Sequence, residues 1–128
     1  MEREEIVTRV SRVWVGEDGI ARVIHVPGAE LTLEDAKETM AAYLKVNKGK
    51  RLPLFVDTKE MKSMSRESRL YYASEETAKT GIAVALIVGT PVSKVLGNFY
   101  LGVCSPHLPT RLFTSEQEAL EWLKGFLT

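Results

Sequence analysis

One stretch of the sequence constrains the fold more than any other: seven consecutive apolar residues, Ile82–Val88, run directly into Gly89-Thr90-Pro91. An apolar run of this length, rich in β-branched side chains, is typical of a strand that is buried on both faces of a sheet. Glycine suits a turn, threonine a helix cap and proline the first position of a helix. The stretch therefore predicts a strand–turn–helix unit of an open α/β sheet, and such sheets bind ligands at the carboxyl ends of their strands.

Hydropathy patterns predict four further strands. Loose alternation over residues 6–15 predicts one strand, and the turn Gly16–Gly19 joins it to a returning strand over Ile20–Val26. The short apolar run Leu52–Asp57 predicts another strand, and Arg111–Phe113 predicts a short last one. The first two strands form a hairpin, and the later ones are separated by helical segments that favour parallel, right-handed connections.

Four helices are predicted between and after these strands. A capping-box pattern that begins at Thr32 starts the first helix, which carries Leu44 on its apolar stripe. The second covers about Ser65–Lys79, the third about residues 91–103, and Thr114 caps the last. The order β-β-α-β-α-β-α-β-α predicts an α/β fold with a mixed sheet of four or five strands.

Composition limits the class of protein. Residues 1–128 suit one domain, and 45% hydrophobic residues supply a core without metals or disulfides. Lysine plus arginine and aspartate plus glutamate both number 17, and this balance argues against a general nucleic-acid binder. Cys104 is the sole cysteine, so no internal disulfide forms. The charged N-terminus and the lack of an apolar run of about 20 residues lead us to expect a cytoplasmic protein without a transmembrane segment.

The element order and several local motifs resemble one known family. The run from Val84 to Gly102, the tail Pro109–Thr114 and the segment Glu118–Leu123 are similar to bacterial STAS/SEC14-like proteins, small relatives of SpoIIAA, the sporulation anti-sigma-factor antagonist. The resemblance covers nearly the whole chain. It implies a SpoIIAA-like mixed sheet with helices and a protein-interaction edge near the start of the second helix.

The same resemblance implies a switch residue at that edge. The antagonists carry a phosphorylatable serine there, and counting from Asp57 places it at Ser65, with Ser63 as the close alternative. This chain has Ser63-Met-Ser-Arg66 where the antagonists have a motif of the Asp-Ser-Ser-Gly type. A phosphate at Ser65 would lie near Arg66 and Arg69 in the first turn of the helix. A serine in this position also serves as an ordinary helix cap, and the two arginines also suit an anionic ligand or simple solvation.

A second group of candidate binding residues lies at the carboxyl ends of the two apolar strands. Asp57 ends one strand, and Gly89, Thr90 and Ser93 follow the other, where helix N–H groups can hold an anion. The structural alternatives are that Asp57 accepts hydrogen bonds from the following loop and that Thr90 and Ser93 cap a helix.

Methionine and tyrosine are concentrated in the segment between the third strand and the second helix. Met61 and Met64 occupy a polar loop, and Tyr71 and Tyr72 follow on the helix. Methionines outside a core suit an adaptable contact surface, which indicates a partner-facing patch. The alternative is that these side chains fold under the loop and fill the edge of the core.

No complete catalytic or metal-binding pattern is present. His25 and His107 have no cysteine or aspartate partner at metal-ligand spacing, and no Gly-x-Ser-x-Gly nucleophile motif occurs. We therefore expect no cofactor and a non-enzymatic regulatory module that binds a protein partner through Thr58–Tyr72. The resemblance implies that this partner is a kinase or anti-sigma-like protein, and a second copy in a homodimer is the alternative. The alternatives are a sensor for a small anionic or lipid-like ligand and, third, an enzyme of unrecognised type.

Overall fold

The computed structural model describes residues 4–89 and 107–127 of the chain. Its strands are β1 (Glu5–Val7), β2 (Ser11–Val15), β3 (Ala21–His25), β4 (Glu30–Leu31), β5 (Leu52–Asp57), β6 (Ser63–Met64), β7 (Gly81–Ile87) and β8 (Thr110–Phe113). Its helices are α1 (Leu33–Val46), α2 (Arg66–Tyr72), α3 (Glu75–Ala78) and α4 (Glu116–Lys124). The helix predicted over about residues 91–103, Thr90, Ser93 and Cys104 all lie outside the described residues.

The main sheet is mixed, which confirms the predicted α/β class. Its six strands have the order β1-β2-β3-β5-β7-β8, and β4 pairs with β6 in a separate parallel pair. The hairpin strands β1, β2 and β3 are antiparallel, whereas β3, β5, β7 and β8 pair in parallel. The connections therefore gather the carboxyl ends of β3, β5, β7 and β8 at one edge.

The prediction of four or five strands was wrong, because residues 6–15 form two strands rather than one. Thr8 breaks the run: its hydroxyl accepts hydrogen bonds from the amides of Val10, at 3.2 Å, and Ser11, at 3.0 Å. Its own amide donates to the carbonyl of Ser11 at 2.8 Å. A threonine that bonds backbone groups two and three residues ahead closes a tight turn, so the chain doubles back on itself.

The two faces of the sheet differ in how tightly they are packed. On one face, Phe55, Ala85, Ile87 and Phe113 are buried against Leu123 of α4. On the other face, α1 packs against residues of β2, β3 and β5, but the β7 residues on this face remain half-buried. The prediction that β7 is buried on both faces therefore holds fully only for the α4 side.

Helix α1 begins as predicted. The hydroxyl of Thr32 accepts from the amide of Asp35 at 3.3 Å, and the carboxylate of Asp35 accepts from the amide of Thr32 at 3.0 Å. Arg9 also pairs with the Asp35 carboxylate, and this hydrogen bond is the main reason that the pKa of Asp35 is lowered. Leu44, predicted to be buried, is 48% exposed, because the buried face of α1 runs through Ala42, Tyr43 and Val46 instead.

The helix predicted over Ser65–Lys79 is two short helices. Ser74 interrupts it by donating its hydroxyl to the carbonyl of Tyr71 at 2.6 Å, and its side chain then caps α3 through the amide of Thr77. The predicted cap of the last helix is also displaced by one residue: Ser115, not Thr114, accepts from the amide of Glu118 at 3.3 Å.

Candidate functional site

A cavity of about 110 Å³ lies between the sheet and the helices on the side of α1. We call it the helix-side cavity. Its floor consists of Val23, Leu54, Val56, Val84 and Leu86, on three adjacent parallel strands. Leu54 is in register with Val84, and Val56 with both Val23 and Leu86, so the five side chains form a continuous apolar surface.

The roof and one wall of the helix-side cavity come from helices. Met40 and Tyr43 of α1 cover it, and Thr77 and Thr80 border it near α3. Tyr43 is held rigidly, since its hydroxyl donates to the carbonyl of Thr80 at 2.6 Å and accepts from the amide of Leu52 at 3.3 Å. These bonds fix α1 against the chain where β5 and β7 begin.

The predicted methionine–tyrosine patch lines this cavity. Met61 is only 3% exposed, and Met64 and Tyr72 are half-buried. Met64 is held in place by its pairing with Leu31 and by Arg69, whose guanidinium donates to the Met64 carbonyl at 2.6 Å. The structure therefore supports the alternative prediction for Met61, that it folds under the loop, and it places Met64 and Tyr72 beside it.

His25 is the most unusual group in the wall of the cavity. It is 6% exposed, and its Nδ1 lies 2.9 Å from the backbone carbonyl oxygen of Asp57. A carbonyl only accepts, so Nδ1 carries the proton and Nε2 presents a lone pair. Within residues 4–89 and 107–127, Nε2 is buried and has no hydrogen-bond partner. Burial lowers the pKa of His25, which favours the neutral ring.

The threonine hydroxyls of the cavity at Thr58 and Thr80 are already engaged. The hydroxyl of Thr58 donates to the carbonyl of Ile87 at 2.7 Å, and that of Thr80 donates to the carbonyl of Thr77 at 2.6 Å. Of the residues described, no lysine or arginine lines the cavity. The described lining is therefore uncharged and mainly apolar, and the Nε2 of His25 is an unpaired acceptor within it.

The predicted ligand edge meets the helix-side cavity at Thr58. The amide of Thr58 donates to the carbonyl of Ile87 at 2.9 Å, and a Cβ added to Gly89 would lie 3.0 Å from the Lys59 side chain. The segments that follow β5 and β7 are thus side by side. However, the Asp57 carboxylate accepts from the Lys59 amide at 2.9 Å and lies 3.1 Å from its Nζ, a hydrogen bond that raises the pKa of Lys59. The Asp57 carboxylate therefore stabilises the loop that follows β5.

The predicted switch residues occupy structural positions. Ser65 is the N-cap of α2, and its hydroxyl oxygen accepts from the amide of Ser68 at 3.2 Å. Ser63 pairs with Glu30 in the small parallel sheet. Arg66 is exposed on the first turn, and Arg69 is engaged with a backbone carbonyl as described above.

The described part of the chain shows neither a metal-binding cluster nor a membrane-spanning helix. No group of three or more histidine, cysteine or acidic residues there is arranged to hold a metal ion, and His107 is exposed. Of the helices described, none combines the length and apolar character that crossing a bilayer requires.

Comparisons with known proteins identify a family and a fold. Residues 13–127 match the family described as Domain of unknown function (DUF7793). No curated protein matches the sequence. An uncharacterized protein of the DUF3478 family with a SpoIIAA-like fold, from Shewanella loihica PV-4, superposes with a TM-score of 0.57 at 15% identity, over 95% of this chain and 92% of that one. A protein with unknown function from Arthrobacter sp. FB24 is 30% identical over 93% of this chain and 96% of its own, with a TM-score of 0.36.

The structural neighbour from Shewanella supports the SpoIIAA-like fold that the sequence resemblance implied. At 15% identity the likeness concerns the fold alone.

Proposed function

The chain belongs to the family described as Domain of unknown function (DUF7793), and we propose that it is a non-enzymatic module that binds a small apolar molecule in the helix-side cavity. The observation that carries the proposal is a cavity of about 110 Å³ whose described lining is uncharged and whose floor on β3, β5 and β7 is aliphatic. Small-molecule sites are concave and mostly apolar, with few polar groups that fix orientation. The helix-side cavity has this composition.

The size of the cavity sets the size of the ligand. An engineered apolar cavity of about 150 Å³ in another protein stays dry and binds benzene or xenon. The helix-side cavity, at about 110 Å³, therefore suits a molecule of about one six-membered ring. An anion is disfavoured, because a buried charge without a cationic partner loses its hydration without compensation.

The void also has an energetic consequence that a ligand would offset. Cavities destabilise proteins by about 24 cal/mol per Å³, so 110 Å³ corresponds to about 3 kcal/mol. A ligand that restores van der Waals contact with Val84, Leu86 and their neighbours recovers part of this energy. Binding then raises the melting temperature by mass action.

Toluene is a suitable probe, and the chain offers matched valine-to-phenylalanine substitutions. Val84→Phe fills the cavity floor, whereas Val7→Phe adds the same bulk to an exposed position on the edge strand β1. Thermal unfolding with increasing toluene should show a rising melting temperature for the unmodified chain and for Val7→Phe, and no rise for Val84→Phe. If Val84→Phe does not fold, the smaller substitution Val84→Ile replaces it. Toluene should then raise the melting temperature of Val84→Ile less than that of the unmodified chain. Equal responses of the Val84 and Val7 variants, or no response in the unmodified chain, would refute the proposal.

A protein-interaction role for the surface of α1 and α2 is a second candidate. Leu44 and Leu70, on these two neighbouring helices, are each 48% exposed, and Arg66 is exposed beside the Ser65 cap. Exposed apolar side chains on adjacent helices suit contact with a protein partner or with a second copy. Sedimentation of the unmodified chain and of Leu70→Glu over a range of concentrations tests the second copy. Self-association that the variant loses supports it, and monomers throughout exclude it.

A further inference from the structure

We infer that the helix-side cavity selects an uncharged molecule with one hydrogen-bond donor, such as a phenol or a small cyclic alcohol, by presenting to it the Nε2 lone pair of His25. This inference rests on the proposed function and adds the chemical class of the ligand. Two observations carry it: the unpaired acceptor in the wall, and the engagement of four hydroxyls around it, those of Tyr43, Thr58, Thr77 and Thr80.

The tautomer of His25 makes Nε2 an acceptor. Its Nδ1 donates to the backbone carbonyl of Asp57 at 2.9 Å, and Asp57 is in register with Ile24 on the neighbouring strand. The Nδ1 atom therefore faces the backbone of the sheet. Nε2 lies on the far side of the ring and faces away from the strands, towards the layer that holds the cavity. An acceptor buried without a partner costs about 1–3 kcal/mol. A ligand hydroxyl or N–H removes that cost, whereas a methyl group in the same place does not.

Four of the hydroxyls that line the cavity already use their protons in the protein. The hydroxyls of Tyr43, Thr58, Thr77 and Thr80 all donate to backbone carbonyls, at 2.6 to 2.8 Å. A carboxylate ligand would place its charged oxygen acceptors against the Nε2 acceptor of His25. In the described part of the chain, no lysine or arginine lines the cavity to balance that charge. The arrangement therefore favours donors over acceptors and neutral molecules over anions.

The test compares three probes of similar shape: phenol, toluene and benzoate. Phenol and toluene differ by one hydroxyl, and benzoate carries a charge. Affinities are measured by titration calorimetry on the complete chain and on His25→Asn. The asparagine amide nitrogen is as many bonds from Cα as Nδ1, so this variant keeps the donor to Asp57 and removes Nε2. Its melting temperature establishes that it folds. His25→Gln is the second variant; its longer side chain brings the amide oxygen closer to the position of Nε2, so it should keep more of the preference for phenol.

We expect the unmodified chain to bind phenol about twofold to tenfold more tightly than toluene, as one net hydrogen bond implies, and to bind benzoate most weakly. His25→Asn should lose most of this preference, because its amide oxygen takes the place of the ring Cδ2 and falls short of the position of Nε2. The Nε2 nitrogen resonance of His25 should move on addition of phenol and not of toluene. Equal affinities for phenol and toluene, an unchanged preference in His25→Asn, or tight binding of benzoate would overturn the inference while toluene binding upholds the proposed function. Failure of all three probes to bind would refute both.

Discussion

Adding a single methylene group to the floor of the helix-side cavity should stabilise the protein. Val84 lies on β7 and contributes to that floor, and isoleucine keeps its β-branch while it extends one carbon further. Burying one methylene in free space contributes about 0.8 kcal/mol. For a chain of this length, 1 kcal/mol corresponds to about 3 to 4 °C, so Val84→Ile should melt about 3 °C higher.

The neighbouring residue on the opposite face provides the control. Ala85 is fully buried against α4, in a core that includes Phe55 and Leu123. Ala85→Val adds two carbons where no space is available, and overpacking of this kind costs about 1–3 kcal/mol. Urea unfolding of the two variants and the unmodified chain measures both effects at constant m-value. If Val84→Ile is destabilised as much as Ala85→Val, the space beside Val84 is already filled and the prediction is wrong.

Three further predictions concern buried polar groups and can be measured by urea unfolding across a series of pH values. Tyr43→Phe removes the donor to the Thr80 carbonyl and should cost about 1–3 kcal/mol; a change within error would show that the bond contributes nothing. Since Arg9 lowers the pKa of Asp35, the stability from this carboxylate is present above its unfolded pKa of about 3.9 and is lost as the pH falls through the folded value. Asp35→Asn should therefore differ from the unmodified chain at neutral pH and approach it in acid, and a constant difference would contradict this. Because burial lowers the pKa of His25, the unfolded chain binds the proton more readily, so stability should fall as the pH drops below about 6.5; His25→Asn should lack this slope.

The strands and caps that sequence predicts correctly are those determined by local chemistry. Leu52–Asp57 has the predicted bounds, and Thr32 caps α1 with Asp35, because turn, cap and apolar-run signals act over a few residues. The errors occur where a side chain competes with the regular backbone pattern. Thr8 divides one predicted strand into two, and Ser74 divides one predicted helix into two, in each case by bonding backbone groups within three residues.

The cavity could be predicted only in fragments. Met61, Met64 and Tyr72 were identified as a group, but whether they face solvent or the sheet depends on how the loop packs under α2. His25 was considered only as a metal ligand. The signal that could have identified it is its alternation with Val23 and Ala21 along β3, which places a histidine on a buried face. That its Nε2 lacks a partner depends on distances between elements far apart in the sequence.

The central claim, that a small apolar molecule occupies the helix-side cavity, is tested most directly by intermolecular nuclear Overhauser effects between toluene and the methyl groups of the protein. The account predicts contacts from the toluene ring to the methyls of Val84, Leu86 and Met64, on the floor and wall of the cavity. Contacts confined to the exposed Leu44 and Leu70, or none at toluene saturation, would contradict it.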